Sequence, residues 1–370
     1  MSRVETAFAV DLPRQWEGEP AVRWVWLSGV LDRPEDDAEV VATRRDVLAD
    51  PGTQELIARL PDWEKTIVKG HNRPDFALNL LHLLADMGVR GGDDPKIEAL
   101  LDAMLAHQEE SGRFASFGQS FRSRQVAWGA LLCDSHAIVE ALVRFGRAED
   151  PRTIRGLARL AADLSETAQG LGWLCIPHTA SGERGPGRKG DFCPQVTLEA
   201  LRTFARLPAD RRPVGLLDAA RTALRAWRVR GEEKPYLFGH GRQFKTVKWP
   251  TCWYDVHWVL DTLGRYPELW RGSTARPEDR QALAELCACM IAYNLAPDGT
   301  VTPRSCYQGF ERFSFGQKKV PSPFATARLH AVLHRFDDLS EEIRTVDVLK
   351  LGSSKGGTGV AQPPRGKEAP

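Results

Sequence analysis

Reactive side chains gather where three apolar, helix-like segments begin. They are Asp134 and His136 in the first segment, Asp191 and Cys193 in the second, and Cys252, Tyr254, Asp255 and His257 in the third. A single Ser, Thr or Asp suffices to cap a helix start, so thiols and imidazoles at these places need another explanation. Carboxyl and imidazole groups transfer protons near neutral pH when their surroundings adjust the pKa. The candidate catalytic residues are therefore Asp134, His136, Tyr254 and Asp255.

A zinc ion is a second use for the same residues. Thiolate, imidazole and carboxylate are ligands that Zn²⁺ prefers, and separate helices can deliver them to one point. The candidate ligands are Asp191, Cys193, Cys252 and His257. Their spacing is not that of a sequence-local metal motif, and buried cysteines also pack as small apolar groups. The sequence leaves both interpretations open.

The loops before these segments carry many basic residues, although the formal net charge of the chain is only +1. Positive charges near helix N-termini form a field suited to a diphosphate or carboxylate. The candidate substrate-binding residues are Arg124, Arg188, Lys189, Lys245 and Lys248, with the aromatic Trp253 beside them. Solvated loop charges and ordinary aromatic core packing explain the same residues one by one. The binding of an anion is therefore a hypothesis about these candidate residues taken together, and not about any one of them.

The three segments belong to an internal repeat. Residues 205–208 can be laid over residues 264–267 with an offset of 59, and the same offset makes Asp134, Cys193 and Cys252 equivalent. Each unit combines an apolar helix with a more charged helix, and such a hairpin must stack on neighbours to bury its apolar face. We expect the apolar helices to line the inside of a closed ring, with Asp134, Cys193 and Cys252 together at one mouth.

The distribution of apolar residues predicts an all-α fold. Between residues 62 and 336, helix-period apolar segments alternate with loops rich in Gly, Ser, Arg and Pro, and β-type alternation is scarce. We predict a single-domain α/α toroid over residues 62–340. A helical extension over residues 1–61 precedes it, and a disordered tail over residues 351–370 follows it.

Composition restricts the location and the partners. There is no 18-residue apolar run and no basic-then-apolar N-terminal pattern, so we expect no transmembrane segment and a cytoplasmic protein. The seven cysteines form no CxxC pair, which favours reduced thiols over a disulfide framework. The near-neutral charge does not favour a nucleic-acid partner, and nothing in the sequence fixes the oligomeric state.

One connection contains Gln108-Glu109-Glu110-Ser111-Gly112-Arg113-Phe114, a Gln-x3-Gly-x-aromatic element. Related elements follow at Gly172-Trp173, at Pro235-Tyr236 and at residues 298–301. This pattern resembles the QW-type repeat of the terpenoid cyclase and protein prenyltransferase superfamily over about residues 62–336. The resemblance implies an α/α toroid that holds its substrate in a central cavity.

The resemblance also bears on the zinc site. Protein prenyltransferases hold zinc with an Asp-x-Cys at one inner-helix start and a later His. Asp191-Phe192-Cys193 is similar to the first part, whereas Pro250 stands where the His is expected, so Cys252, Asp255 or His257 would replace it. Arg188 and Lys189 are similar to the family's diphosphate contacts.

The leading hypothesis is an enzyme, similar to terpenoid cyclases and prenyltransferases, that acts on an isoprenoid-like or other amphipathic anionic substrate. The Asp-x-Asp-Asp acid motif of the cyclases is absent, and so is a DDxxD diphosphate motif in the predicted helices. An alternative is a carbohydrate-active (α/α)6 enzyme, a hydrolase or lyase with two carboxylates about a glycosidic bond. A further alternative is a noncatalytic toroid that binds a lipid or a protein.

Overall fold

Most of the described chain is helical. The computed structural model describes residues 3–9, 11, 16, 18–68, 70, 73–119, 124–182, 184, 189–230, 232 and 242–351. Its α-helices are α1 (Arg3–Ala7), α2 (Pro20–Gly29), α3 (Ala38–Ala49), α4 (Pro51–Ala58), α5 (Ala77–Asp86), α6 (Pro95–Ala106), α7 (Leu132–Arg144), α8 (Pro151–Ala162), α9 (Pro194–Phe204), α10 (Leu216–Arg228), α11 (Arg242–Lys245), α12 (Val256–Leu263), α13 (Pro277–Asn294), α14 (Pro323–Leu333) and α15 (Ser340–Thr345). The prediction of a predominantly helical protein is confirmed. Most of the predicted tail, residues 352–370, lies outside the described residues.

Local sequence starts several of these helices. An aspartate side chain accepts a hydrogen bond from a backbone N–H of the first turn at α3, α4, α6 and α8. The capping residues are Asp37, Asp50, Asp94 and Asp150. In α4, α6 and α8 the next residue is proline, whose missing N–H needs no partner at that position.

Five helices, α5, α7, α9, α12 and α14, form the centre of the molecule, and we call them the central helices. Every residue of α9, α12 and α14 is buried, as expected for helices surrounded by other elements. By contrast, α8 buries only Thr153, Gly156, Leu157 and Leu160, which lie on one face. The sequence division into apolar and more charged helices therefore corresponds to central and peripheral positions.

The contacts follow chain order. α5 packs on α7, α7 on α9, α9 on α12, and α12 on α14, while α14 packs on α2. At this last contact the rings of Trp26 and His330 lie 5.4 Å apart. Gly29 approaches Ala331 so closely that a Cβ at position 29 would lie 2.7 Å from the Ala331 Cβ. Helix α2, predicted to belong to an extension, is thus an integral part of the helix packing.

The described strands are short and lie in connections between helices. β1 (Ser116–Gln119) pairs antiparallel with β2 (Val126–Gly129), and β3 (Leu164–Thr167) with β4 (Gly170–Trp173). β5 (Lys248–Trp249) pairs in parallel with β6 (Ser305–Cys306). This last pair joins the segment before α12 to the segment before α14.

The sequence repeat has a structural counterpart at the starts of three central helices. A backbone N–H in the preceding connection donates to a Ser or Thr hydroxyl in the first turns of the helix. The pairs are Phe114 with Ser135 (3.0 Å), Trp173 with Thr197 (3.2 Å) and Val301 with Thr326 (2.9 Å). The Gln108 amide donates to the carbonyl oxygens of Gly112 (2.9 Å) and Arg152 (2.7 Å), which ties its connection to the start of α8. The Pro235-Tyr236 copy lies outside the described residues.

The central helices also bury charged side chains that contact one another. The Arg202 guanidinium donates to both oxygens of the fully buried Glu140 carboxylate, at 2.9 and 2.7 Å, and lies 3.8 Å from the centre of the Trp258 ring. Asp86 accepts from Arg144 at 2.5 Å and from Arg328 at 3.0 Å. Charges of both signs can be buried because each carboxylate meets a guanidinium, which a hydrophobicity pattern does not reveal.

None of the helices in the described part of the chain is both long and apolar enough to cross a bilayer.

Candidate functional site

The predicted equivalence of Asp134, Cys193 and Cys252 holds only roughly. All three lie near the N-terminal ends of neighbouring central helices, but Asp134 is inside the first turn of α7 and Cys193 is the N-cap of α9. Cys252 comes three residues before Asp255, the N-cap of α12. The starts differ because each helix begins at its own local signal, such as Pro194 or the Asp255 carboxylate. An equal spacing in sequence therefore does not give these side chains equal surroundings.

Asp255 is the centre of one group of polar side chains, which we call the Asp255 group: Asp255, Cys252, Tyr307 and Lys248. The Asp255 carboxylate accepts from the backbone N–H of Trp258 at 3.0 Å and is 7% exposed. The β5–β6 pair brings Tyr307 to it, since the Tyr307 N–H donates to the Trp249 carbonyl at 2.8 Å.

The other members of the Asp255 group contact one another. Cys252 and Tyr307 share a side-chain hydrogen bond, and both lie close to Asp255. The Lys248 ammonium lies 3.7 Å from the centre of the Tyr307 ring. The group therefore combines a buried carboxyl group with a thiol, an aromatic ring and a cation over that ring.

The electrostatics of Asp255 suit proton transfer. Burial raises the pKa of Asp255 to about 7, although backbone N–H groups of Trp258, Lys248 and His257 lower it. A carboxyl group with this pKa exists in both protonation states near neutral pH and can serve as a general acid or base. Asp255 is the predicted catalytic residue whose surroundings favour that role most directly.

The raised pKa also predicts a pH-dependent stability. The folded state keeps the Asp255 proton up to about pH 7, whereas the unfolded chain releases it near pH 4. The contribution of Asp255 is therefore fully present below about pH 4 and is lost as the pH rises to about 7. Asn does not titrate, so Asp255→Asn should gain up to about 4 kcal/mol relative to the wild type between pH 4 and 8. Urea unfolding of both proteins at several pH values measures this, and a constant difference would contradict it.

Three cysteines form a second group, the thiol group: Cys133, Cys175 and Cys193. Cys193 is held by its backbone N–H, which donates to the Trp173 carbonyl at 2.7 Å. A hydrogen bond with the Cys175 thiol, together with burial, raises the pKa of Cys193 well above its ordinary value. Cys133 and Tyr254 are close neighbours of Cys193. The Cys193 thiol therefore stays protonated at neutral pH, which disfavours it as a thiolate nucleophile.

The four predicted zinc ligands have separate surroundings. Asp191 accepts from the Gln169 amide at 2.9 Å, Cys193 belongs to the thiol group, and Cys252 to the Asp255 group. Burial lowers the pKa of His257 to about 3, and its charged neighbours are Arg328, Asp261, Asp86 and Arg335. Within the described residues, no three His, Cys, Asp or Glu side chains are placed to hold one metal ion. The residues present do not fit the zinc centre that the resemblance implies, and we derive no reaction step through a metal.

His136 and Asp134, both near the start of α7, have hydrogen-bond partners outside this helix. The His136 Nδ1 atom lies 3.1 Å from the Val196 carbonyl oxygen, which requires Nδ1 to be the donor. Burial lowers the pKa of His136 to about 3, so the ring is neutral at physiological pH. Asp134 accepts a short hydrogen bond from the Ser116 hydroxyl. Both contacts position α7 against its neighbours.

The predicted substrate-binding residues do not form one cluster. Arg124 and Lys189 are exposed, and Arg188 lies outside the described residues. The Lys245 side chain is buried, with its ammonium 5.4 Å from the centre of the Tyr293 ring on the peripheral helix α13. Lys248 contacts the Asp255 group as described above. The Trp253 ring lies 5.1 Å from that of Tyr254, which places it beside the thiol group.

A cavity of about 410 Å³ opens next to the start of α5. Its lining includes Trp63, Lys65, Arg73, Asp75 and Phe76. Arg73 and Asp75 form a two-pronged ion pair at 3.0 and 2.9 Å, and Asp75 is also a charged neighbour of Cys252. The volume falls within the range of small-molecule sites, and its position places it beside the Asp255 group.

Sequence reasoning missed several residues of this site. Cys175 and Tyr307 lie in connections with no helical periodicity, and their neighbours come from segments distant in sequence. Trp63 and Arg73 precede the first recognised repeat. Cys175 stands two residues after the Gly172-Trp173 element, which is the one local signal that pointed to its region.

Comparison with known proteins gave no match to a family model, to a curated protein or to a solved structure.

Proposed function

We propose that this protein is an acid–base enzyme that acts on an isoprenoid-like or other amphipathic anionic substrate, with Asp255 as the acid. The observation that carries the proposal is the buried Asp255 carboxyl group, whose pKa burial raises to about 7 beside aromatic rings and a lysine. As architecture we propose an α/α toroid related to terpenoid cyclases and protein prenyltransferases.

The helix contacts support the proposed architecture. Each central helix packs on the next in chain order, and α14 packs on α2 near the other end of the chain. A closed ring of repeats requires such a contact between helices from the two ends of the chain. The Gln108 side chain donates a hydrogen bond to the start of the next peripheral helix, α8, and this contact between units is compatible with the same family.

The surroundings of Asp255 support the proposed substrate class. The cavity at the start of α5 combines the apolar Trp63 and Phe76 with the cationic Lys65 and Arg73, and the Lys248 ammonium lies over the Tyr307 ring of the Asp255 group. Aromatic faces stabilise positive charge that develops on a hydrocarbon, and cations hold an anionic head group. An isoprenoid diphosphate has both a hydrocarbon chain on which positive charge can develop and an anionic head group.

The proposed step is a proton transfer to a carbon–carbon double bond. The Asp255 O–H bond breaks, the π electron pair forms a new C–H bond, and the other alkene carbon becomes a cation. The Asp255 carboxylate then accepts a proton from a neighbouring carbon, which restores a double bond and the acid. Atoms and charge balance without a co-reactant, so the net result is isomerisation or ring closure.

Deuterium exchange tests this proposal directly. The protein is incubated in D₂O with farnesyl or geranylgeranyl diphosphate, and mass spectrometry follows products that carry carbon-bound deuterium. We expect deuterated products above those of a protein-free control. No exchange and no product with either probe would overturn the proposal for these substrates, and cleavage of an oligouronate instead would favour the carbohydrate-active alternative.

A further inference from the structure

An arginine follows each central helix within four residues of its C-terminal end. These residues are Arg90 after α5, Arg147 after α7, Arg206 after α9, Arg265 after α12 and Arg335 after α14. The overlay of residues 205–208 on residues 264–267 already pairs two of them. A cation at this end is favourable because the last carbonyl groups of a helix carry partial negative charge.

Among these five arginines, Arg206 differs in its partners. The other four guanidinium groups form ion pairs with carboxylates: Arg90 with Glu35 (3.1 Å), Arg147 with Glu98, Arg265 with Asp261 (3.2 Å) and Arg335 with Asp261 (2.9 Å). The Arg206 guanidinium has no ion pair within the described residues. Its Nε atom, like that of Arg265, is shielded from solvent without an acceptor there.

The charges around Arg206 leave it without an anion. The charged groups that affect its pKa most are Arg265, Arg144, Arg202 and the carboxylate of Glu140. Both oxygens of Glu140 are already bonded to Arg202. Burial together with Arg265 and Arg144 lowers the pKa of Arg206 well below its ordinary value. Three guanidinium groups near a largely shielded fourth repel it, and a bound anion relieves that repulsion.

We propose that Arg206 and Arg265 form a binding site for a phosphate group at the C-terminal ends of α9 and α12. A tetrahedral oxyanion presents several acceptors at once, and guanidinium donors match phosphate geometry well. The site is separate from the Asp255 group, because the eight residues of α12 span about 12 Å between Asp255 at the N-terminal end and the connection that contains Arg265. It therefore goes beyond the proposed function and does not depend on it.

Thermal unfolding in inorganic phosphate tests the site. Against sodium chloride of equal ionic strength, phosphate at ten times its Kd should raise the Tm of the wild type by about 2 °C. Arg206→Met should abolish this rise and should melt in chloride at the wild-type temperature or above, because it removes a buried cation that lacks a partner. The matched control is Arg211→Met in the same α9–α10 connection, where Arg211 pairs with the exposed Glu149. It should keep the phosphate response.

Measurements with other anions, and by calorimetry, identify the chemical class of the ligand. A response to pyrophosphate at lower concentration than to phosphate supports a diphosphate-bearing ligand at the same site. An equal response to acetate overturns the assignment to phosphate, and so does an equal phosphate response in Arg206→Met. Calorimetric titration of the wild type with phosphate needs no variant, and the absence of heat and of a Tm shift would overturn the site altogether.

Discussion

Replacing Asp255 by Asn should lower the rate of deuterium transfer to an isoprenoid diphosphate at least 100-fold. Positioned general acids contribute factors of about 10² to 10⁴, and the amide of Asn has no transferable acidic proton. Asn is as good an N-cap as Asp, so α12 should still begin at Val256. The side-chain oxygen of the asparagine in this variant should still accept the hydrogen bond from the Trp258 N–H. The initial rate of deuterium incorporation measures the effect, and circular dichroism verifies the fold.

The control for this loss is Asp210→Asn, which changes an exposed carboxylate in the α9–α10 connection. Its rate should equal that of the wild type. In the wild type, the rate should fall as the pH rises above about 7, because the acid must be protonated to donate. A rate within threefold of wild type in Asp255→Asn would remove this residue from the mechanism.

Breaking the buried Glu140–Arg202 pair should have the largest effect on stability. Burial alone would raise the pKa of Glu140, but Arg202 and its other cationic neighbours lower it to about 2, so both partners are charged at neutral pH. Removing one partner leaves the other charge buried without its counter-ion, and Glu140→Ala should cost about 3–5 kcal/mol in the free energy of unfolding. Urea denaturation followed by circular dichroism measures this loss.

Two further variants separate pairing from packing. Glu149→Ala, which breaks an ion pair of Arg211 with an exposed carboxylate, should cost less than about 1 kcal/mol. In the double variant Glu140→Ala, Arg202→Met, the total loss should be smaller than the sum of the two single losses, because no uncompensated charge remains. Additive losses in this cycle would show that the pair contributes packing alone.

The helical class and the repeat are properties of the sequence itself. Helix-period apolar segments, and Asp-Pro pairs at the starts of three peripheral helices, act within one turn of the chain, so no tertiary information is needed to find them. The C-terminal ends of α5, α7, α9 and α12 follow one another at intervals of 58 to 60 residues, in agreement with the overlay. The sequence also located Asp255 at the start of α12, because this residue is both an N-cap and part of a cluster of reactive side chains.

Only the tertiary structure decided what these side chains contact. The sequence placed Asp134, Cys193 and Cys252 at the helix starts, and it could not place Tyr307 beside Cys252, because that contact depends on the pairing of β5 with a strand 57 residues later. It classed α7 and α9 as apolar helices, and it could not show that Glu140 and Arg202 meet from these adjacent helices. Hydrophobic periodicity does not reveal such buried ion pairs, because each charged residue alone only interrupts an apolar segment. Its burial is energetically possible because a residue of opposite charge lies on the neighbouring helix. The same reasoning distinguishes Arg206, whose sequence position matches that of Arg265. Only the packing of the helices shows that Arg265 pairs with Asp261, whereas Arg206 has no carboxylate partner in the described part of the chain.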